Sequence, residues 1–130
     1  MKIKLGLLVN SKEGLSIIAT SKFKATKLFE ITKFVKKANE EIESFEKVRQ
    51  EKIKQYGEEQ TNDKGEKVMQ VASDKINDFV ADIEDLFNSE IDIDVPKILV
   101  EDLGDTEMSP NILLSLGYIF ENKEDNDGDQ

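Results

Sequence analysis

The period of apolar and polar positions changes along this chain, and each change marks an element. Ile3, Leu5 and Leu7 alternate with Lys2, Lys4 and Gly6, which predicts a short strand over 2–7 with one wet face. Leu8, Leu15, Ile18 and Ala19 then fall at helical spacing and predict a short helix near 9–20, with Gly14 as an unfavourable interior residue. From Phe23 to Tyr56 there is neither Pro nor Gly. Leu28, Val35, Ile42, Arg49 and Tyr56 recur every seven residues, and Ile31, Ala38, Phe45 and Lys52 form a companion series. This coiled-coil-like seam predicts one helix of about 34 residues, roughly 50 Å long. Arg49 and Lys52 make its second half polar. A helix of that length needs a partner helix, and its far end, around Val48, Ile53 and Tyr56, should be the least covered.

Gly57 is expected to end the long helix in the left-handed conformation that glycine tolerates. Asn62-Asp63-Lys64-Gly65 is a turn signal in a loop over 58–67, and Val68, Met69 and Val71 suggest a brief extended piece. Ser73 is the expected N-cap of a helix over 74–88. Its stripe is Ile76, Phe79, Val80, Ile83, Leu86 and Phe87. The two helices should pack as an antiparallel hairpin.

Ile91, Ile93 and Val95 alternate with Asp92 and Asp94 before Pro96, a strand with an acidic wet side that Ile98–Val100 could continue. Its natural partner is the N-terminal strand, because Lys2 and Lys4 would then face carboxylates. Ser109-Pro110 opens a last helix, with Ser as N-cap and Pro at the first helical position. Ile112, Leu113, Leu116, Ile119 and Phe120 are its expected buried face. The architecture is a mostly helical α+β domain over 1–121. A long antiparallel helical hairpin sits on a small sheet of two or three strands with a C-terminal helix. Residues 122–130 carry no apolar side chain and are expected to be a disordered acidic tail.

Charge changes this picture more than composition does. Residues 1–37 hold nine lysines against Glu13 and Glu30, a local +7, so the remainder carries −17 of the net −10. A chain polarised in this way presents a basic and an acidic region to different partners. The absence of Cys and His removes thiolate chemistry, zinc–thiolate sites and the commonest general base. No segment approaches the ~18 apolar residues of a membrane span. The opening apolar run is too short for a signal peptide. The expected location is inside a host cell, free or associated with an assembled particle.

Three candidate chemistries are weighed against simpler readings. Asp125-Asn126-Asp127-Gly128-Asp129 resembles a calcium loop, but with Gly128 at position 6 the first ligand position falls on Lys123. Asp92, Asp94, Glu101, Asp102, Asp105 and Glu107 are paired carboxylates without a nucleophile, a phosphate-binding loop or a His beside them, so no catalytic, cofactor or metal site is expected. Lys22, Lys24, Lys27, Lys33, Lys36 and Lys37 are interleaved with Phe23, Phe29 and Phe34, which superficially suits nucleic acid. The acidic remainder argues against a polyanionic partner, and the simpler reading places these lysines beside the acidic strand.

The order of segments resembles a family of small uncharacterised proteins of phages and prophages of Gram-positive bacteria. The pieces that carry it are the opening MKIKLGLLVNSKEGL, the helix FKATKLFEITKFVKKANEEIESFEKVRQEKIKQYGE, the turn NDKG, then INDFVADIEDLFNSEIDIDVPKI and LVEDLGDTEMSPNILLSLGYIFE. The resemblance implies a phage origin and a helical hairpin with a small sheet. It brings no catalytic residue to transfer.

The expected function is non-enzymatic binding of a phage or host protein in an assembly or accessory role. The contacts would be Val48, Ile53 and Tyr56 at the hairpin end, or Asp92, Asp94, Glu101 and Asp102 on the acidic face. The alternative is an anti-defence inhibitor whose carboxylates, among them Glu40, Glu43, Asp78, Asp82 and Asp85, imitate nucleic-acid phosphates. The uncovered seam leaves a homo-oligomer open.

Overall fold

The computed structural model describes residues 2–120. It is a mostly helical α+β fold with two small antiparallel sheets rather than one. The first sheet pairs β1 (Lys2–Lys4) with β4 (Glu90–Asp92), in the register Lys2 opposite Asp92 and Lys4 opposite Glu90. This is the expected lysine-to-carboxylate pairing. Ile3, opposite Ile91, points into the core.

The N-terminal strand stops at Lys4, well short of the predicted 2–7. Leu5–Asn10 is instead a helix, α1. Leu5 and Leu8 are both buried while Leu7 is exposed, so the i, i+3 pair decides the period. Gly6 lets α1 approach Phe87, whose side chain would lie 3.3 Å from an added Cβ. The helix expected near 9–20 begins at Lys12 (α2, Lys12–Thr20). Ser11 sits at the break, fully buried, with its Oγ 3.1 Å from the Leu8 carbonyl and 2.7 Å from the Tyr118 hydroxyl. Gly14 is a packing requirement. A Cβ there would fall 2.6 Å from the Leu116 side chain.

The long helix is α3, Ala25–Tyr56. Ile31, Phe34, Ala38, Ile42 and Phe45 form its buried stripe. Ile31, Ala38 and Phe45 of the companion series are joined there by Ile42 of the first series, whereas Leu28 is exposed. Gly57 does not take the left-handed conformation: its φ of −92° and ψ of 165° are extended, and it begins a strand. Glycine is needed there because a Cβ would collide with the Ile53 carbonyl.

The segment read as a turn-rich loop is a β-hairpin. Strands β2 (Gly57–Thr61) and β3 (Lys67–Val71) pair residue for residue from Gly57–Val71 to Thr61–Lys67. The Asn62 side chain accepts from the backbone N–H of Lys64 and of Glu66, both at 2.9 Å, and Gly65 closes the turn at φ 78°. The hairpin packs back on α3, and Ala72 N–H donates to the Tyr56 carbonyl at 3.0 Å.

Ser73 does not cap a helix through its side chain. It opens a single 3₁₀ turn (Ser73–Lys75), and α4 runs from Ile76 to Asn88. Helices α3 and α4 are antiparallel: Tyr56 meets Asp82, while Phe45 meets Phe87 with ring centres 5.3 Å apart. The stripe of α4 is only half covered, with Phe79, Ile83, Leu86 and Phe87 partly buried and Ile76 and Val80 exposed. Helices α3 and α1 flank it without enclosing it.

After β4 the chain runs past Pro96 without regular secondary structure. Ile98 forms a parallel bridge to Phe120, with its N–H on the Ile119 carbonyl at 3.0 Å, rather than prolonging the strand. A second 3₁₀ turn covers Val100–Leu103, where the Asp102 carboxylate accepts from the Leu99 N–H at 3.2 Å. Helix α5 (Pro110–Ser115) starts as expected, with the Ser109 hydroxyl accepting from the Ile112 N–H at 3.4 Å, but it lasts only six residues. Leu116 and Ile119 are buried, whereas Leu113 is exposed. The core joins these to Leu8, Leu15, Ile18, Ile31, Phe34 and Ile98. The acidic tail over 122–130 and its calcium-like loop lie outside the described residues.

Candidate functional site

Two segments distant in sequence form the walls of the best-defined concavity. One wall is the N-terminal half of α3, where Phe29, Lys33 and Lys37 succeed one another at one-turn intervals. The other is the stretch from Asp92 through Ile93, Asp94 and Val95 to Pro96. They enclose a groove of about 600 Å³. Its floor is apolar, made by Phe34, Ile93 and Pro96, all buried. Phe29 stands on its rim at 66 % exposure, and the Lys33 ammonium lies 5.3 Å above its ring. Lys37 is paired with Glu41 at 3.3 Å.

The groove therefore has a helical wall that carries Lys33 and Lys37 beside Glu30, and an acidic wall that carries Asp92 and Asp94. Sequence reasoning expected the lysines to face the acidic strand, and Lys33 and Lys37 do so across this opening. Phe29 enters the sequence reading only as one of three aromatics interleaved with lysines. The available signal was its register: Phe29 falls outside the Ile31, Phe34, Ala38 series, so a large aromatic is placed on the polar side of an amphipathic helix.

A second recess lies at the start of α3. Lys22, Lys24 and Lys27 surround Phe23 and Thr26, with Glu30 and Asp102 at its edge. Lys27 donates to the Lys97 carbonyl at 2.9 Å and pairs with Glu30 at 3.4 Å. Here too the basic side chains sit beside an acidic neighbour within the fold.

The far end of α3 is organised differently. The Tyr56 hydroxyl donates to Asp82 Oδ2 at 2.7 Å, and Lys52 Nζ reaches the same oxygen at 3.2 Å. These bonds, the tyrosine's first, hold the Asp82 carboxyl below the ordinary carboxylate range, against the opposing effect of burial. The same bond raises the Tyr56 phenol above its ordinary value, and burial adds to the rise. Tyr56 and Ile53 are half-buried, and Val48 is exposed at 38 % in a shallow notch between Glu43, Lys47 and Glu51.

The expected contact residues thus fall into separate places. Asp92 and Asp94 share the groove, Asp102 borders the basic recess, and Glu101 is exposed on the same 3₁₀ turn. Tyr56 lies 27 residues along α3 from Phe29, about 40 Å away at 1.5 Å per residue. Val48, Ile53 and Tyr56 therefore belong to another region of the surface. Of the carboxylates considered as phosphate mimics, Asp82 is engaged by Tyr56 and Lys52, and Glu43 pairs with Lys47 at 3.7 Å. Glu40, Asp78 and Asp85 are exposed.

Among the described residues, no group of three or more Asp, Glu, His or Cys side chains is arranged to hold a metal ion. No described helix is long and apolar enough to cross a membrane. No protein-family model, no curated protein and no solved structure matches this chain.

Proposed function

We propose that this chain is a non-catalytic protein-interaction module, encoded by a phage, that binds a phage or host protein in the host cytoplasm or on an assembling particle. The observation that carries this reading is Phe29, a large aromatic left 66 % exposed on the rim of an apolar-floored groove with charged walls. Aromatic anchors surrounded by polar rims are the usual energetic centres of protein interfaces. The phage setting is supported by the resemblance of the segment order.

The test is affinity capture with the tagged protein from infected and uninfected host lysates at two salt concentrations, with Phe29→Ala as control. Recovery of a phage protein only after infection, lost with Phe29→Ala, supports an assembly or accessory role. Recovery of a basic host defence protein from uninfected cells, lost at high salt but unaffected by Phe29→Ala, would replace this reading with that of an acidic inhibitor.

A further inference from the structure

The groove also constrains the form of its partner, and this step rests on the protein-binding reading above. Phe29 to Lys37 covers about 12 Å of helix, the span of about four residues of an extended peptide. Alternate residues of an extended strand are spaced ~7 Å, close to the ~6 Å between successive α3 side chains on this face.

The wall from Asp92 to Pro96 also has unused backbone. β4 ends at Asp92, and the N–H and C=O groups of Asp94 and Val95 make no hydrogen bond to any described residue. In an extended segment successive residues offer these groups to opposite edges, so an added strand pairs with the main chain of one of the two. On the other wall the Lys33 ammonium forms no ion pair with a described residue. It therefore complements a carboxylate.

From these observations we infer that the groove takes an extended peptide segment of a partner protein, added alongside Asp94 and Val95. An apolar side chain of the peptide packs on Phe29 and Phe34, and an acidic side chain two positions away meets Lys33. Main-chain bonds supply the attachment, and the alternating side chains supply the selectivity.

The experiment selects a displayed library of random twelve-residue peptides on the full chain, with counter-selection on Phe29→Ala. Enriched sequences are then synthesised and titrated. The expected consensus is an apolar residue and an acid two positions apart. Phe29→Ala and Lys33→Glu should each weaken such a peptide by about tenfold or more, a loss typical of interface anchors. Single N-methylation along the peptide should abolish binding at alternate positions, and amide resonances of Asp94 and Val95 should shift on titration. Both substitutions lie on the surface, so unchanged melting curves check that the fold is intact.

Absence of enrichment, indifference to both substitutions, or uniform tolerance of N-methylation overturns the inference. So does a concentration-dependent dimer dissolved by Phe29→Ala, because the occupant would then be a second copy. A photo-crosslinker placed at position 29 separates this failure from that of the broader reading. Capture of an intact phage or host protein without any enriched peptide overturns the extended-peptide inference and leaves protein binding standing. No capture and no peptide remove both.

Discussion

The Tyr56 hydroxyl and the Asp82 carboxylate join the last turn of α3 to the middle of α4 through a bond of 2.7 Å. Lys52, one turn earlier on α3, shares the same carboxylate oxygen. In the seam, Lys52 reads as an interruption of the apolar repeat and Tyr56 as its last member. In the folded chain they form a polar clasp where the apolar stripe of α4 is least covered.

The clasp responds to pH from both sides. The folded-state pKa of Asp82 is lowered, so its contribution is present above the ordinary carboxylate value and is lost as pH falls through the lowered one. Tyr56 is raised, so its contribution is present below the ordinary phenol value and is lost as pH rises through the raised one. Thermal melts of the protein and of Asp82→Asn should differ most near neutrality and converge in acid. A constant difference down to strong acid would show that the ionised Asp82 carboxylate is not its source.

Ser11 and Tyr118 make the corresponding contact in the core. Ser11→Ala leaves the tyrosine hydroxyl without its partner in a partly buried place and should cost about 1–3 kcal/mol. Burial raises the Tyr118 phenol, against the smaller opposing effect of the Ser11 bond. Stability is therefore lost as pH climbs through the raised value, because burial opposes the charged phenolate. Urea titrations at neutral and alkaline pH check both statements: Tyr118→Phe should flatten the alkaline limb.

Gly14→Ala is the sharpest packing test. Alanine is the better helix former by about 1 kcal/mol. Yet its Cβ would lie 2.6 Å from Leu116, which is itself fully buried. The substitution should destabilise by about 1–3 kcal/mol, with overpacking outweighing propensity. In a Leu116→Ala background the same change should cost less, and a double-mutant cycle in denaturant measures that coupling.

Two leucines of similar chemistry should behave oppositely. Leu8 is fully buried, and Leu8→Ala should cost about 2–5 kcal/mol. Leu114 is 78 % exposed, and Leu114→Ala should stay within about 0.5 kcal/mol. Equal losses on chemical denaturation would mean that α5 packs differently.

The parts legible in the sequence are those where local chemistry and tertiary need agree. The lysine strand facing the acidic strand, the unbroken long helix, Ser109-Pro110 and the Asn62–Gly65 turn all declare themselves locally. Residues 5–10 did not, because Leu5, Leu7 and Leu8 satisfy a strand and a helix pattern equally over so short a run. Strand β2 was hidden because Glu58, Glu59 and Gln60 have no apolar alternation, and their pairing is imposed by the turn beyond them. Gly14 and Gly57 read as weak points, yet each answers to a neighbour, Leu116 in one case and the Ile53 carbonyl in the other. The groove was legible only in part. Its acidic residues were named beforehand, but its shape depends on bringing residue 29 beside residue 94, and Phe29 was significant only for being out of phase.

The pairing of β1 with β4 has a kinetic consequence. It joins Lys2 to Asp92 and Lys4 to Glu90 across most of the chain, whereas β2 and β3 are joined by a tight turn. Hairpins close in about 1–10 μs, and helices propagate faster still. A contact between such distant residues must instead wait until the intervening chain is largely ordered, because its loop-closure entropy is recovered only then. The hairpin end of the molecule therefore assembles early and the two-stranded base late, and the acidic wall of the groove, which continues directly from β4, takes its place only in that last step.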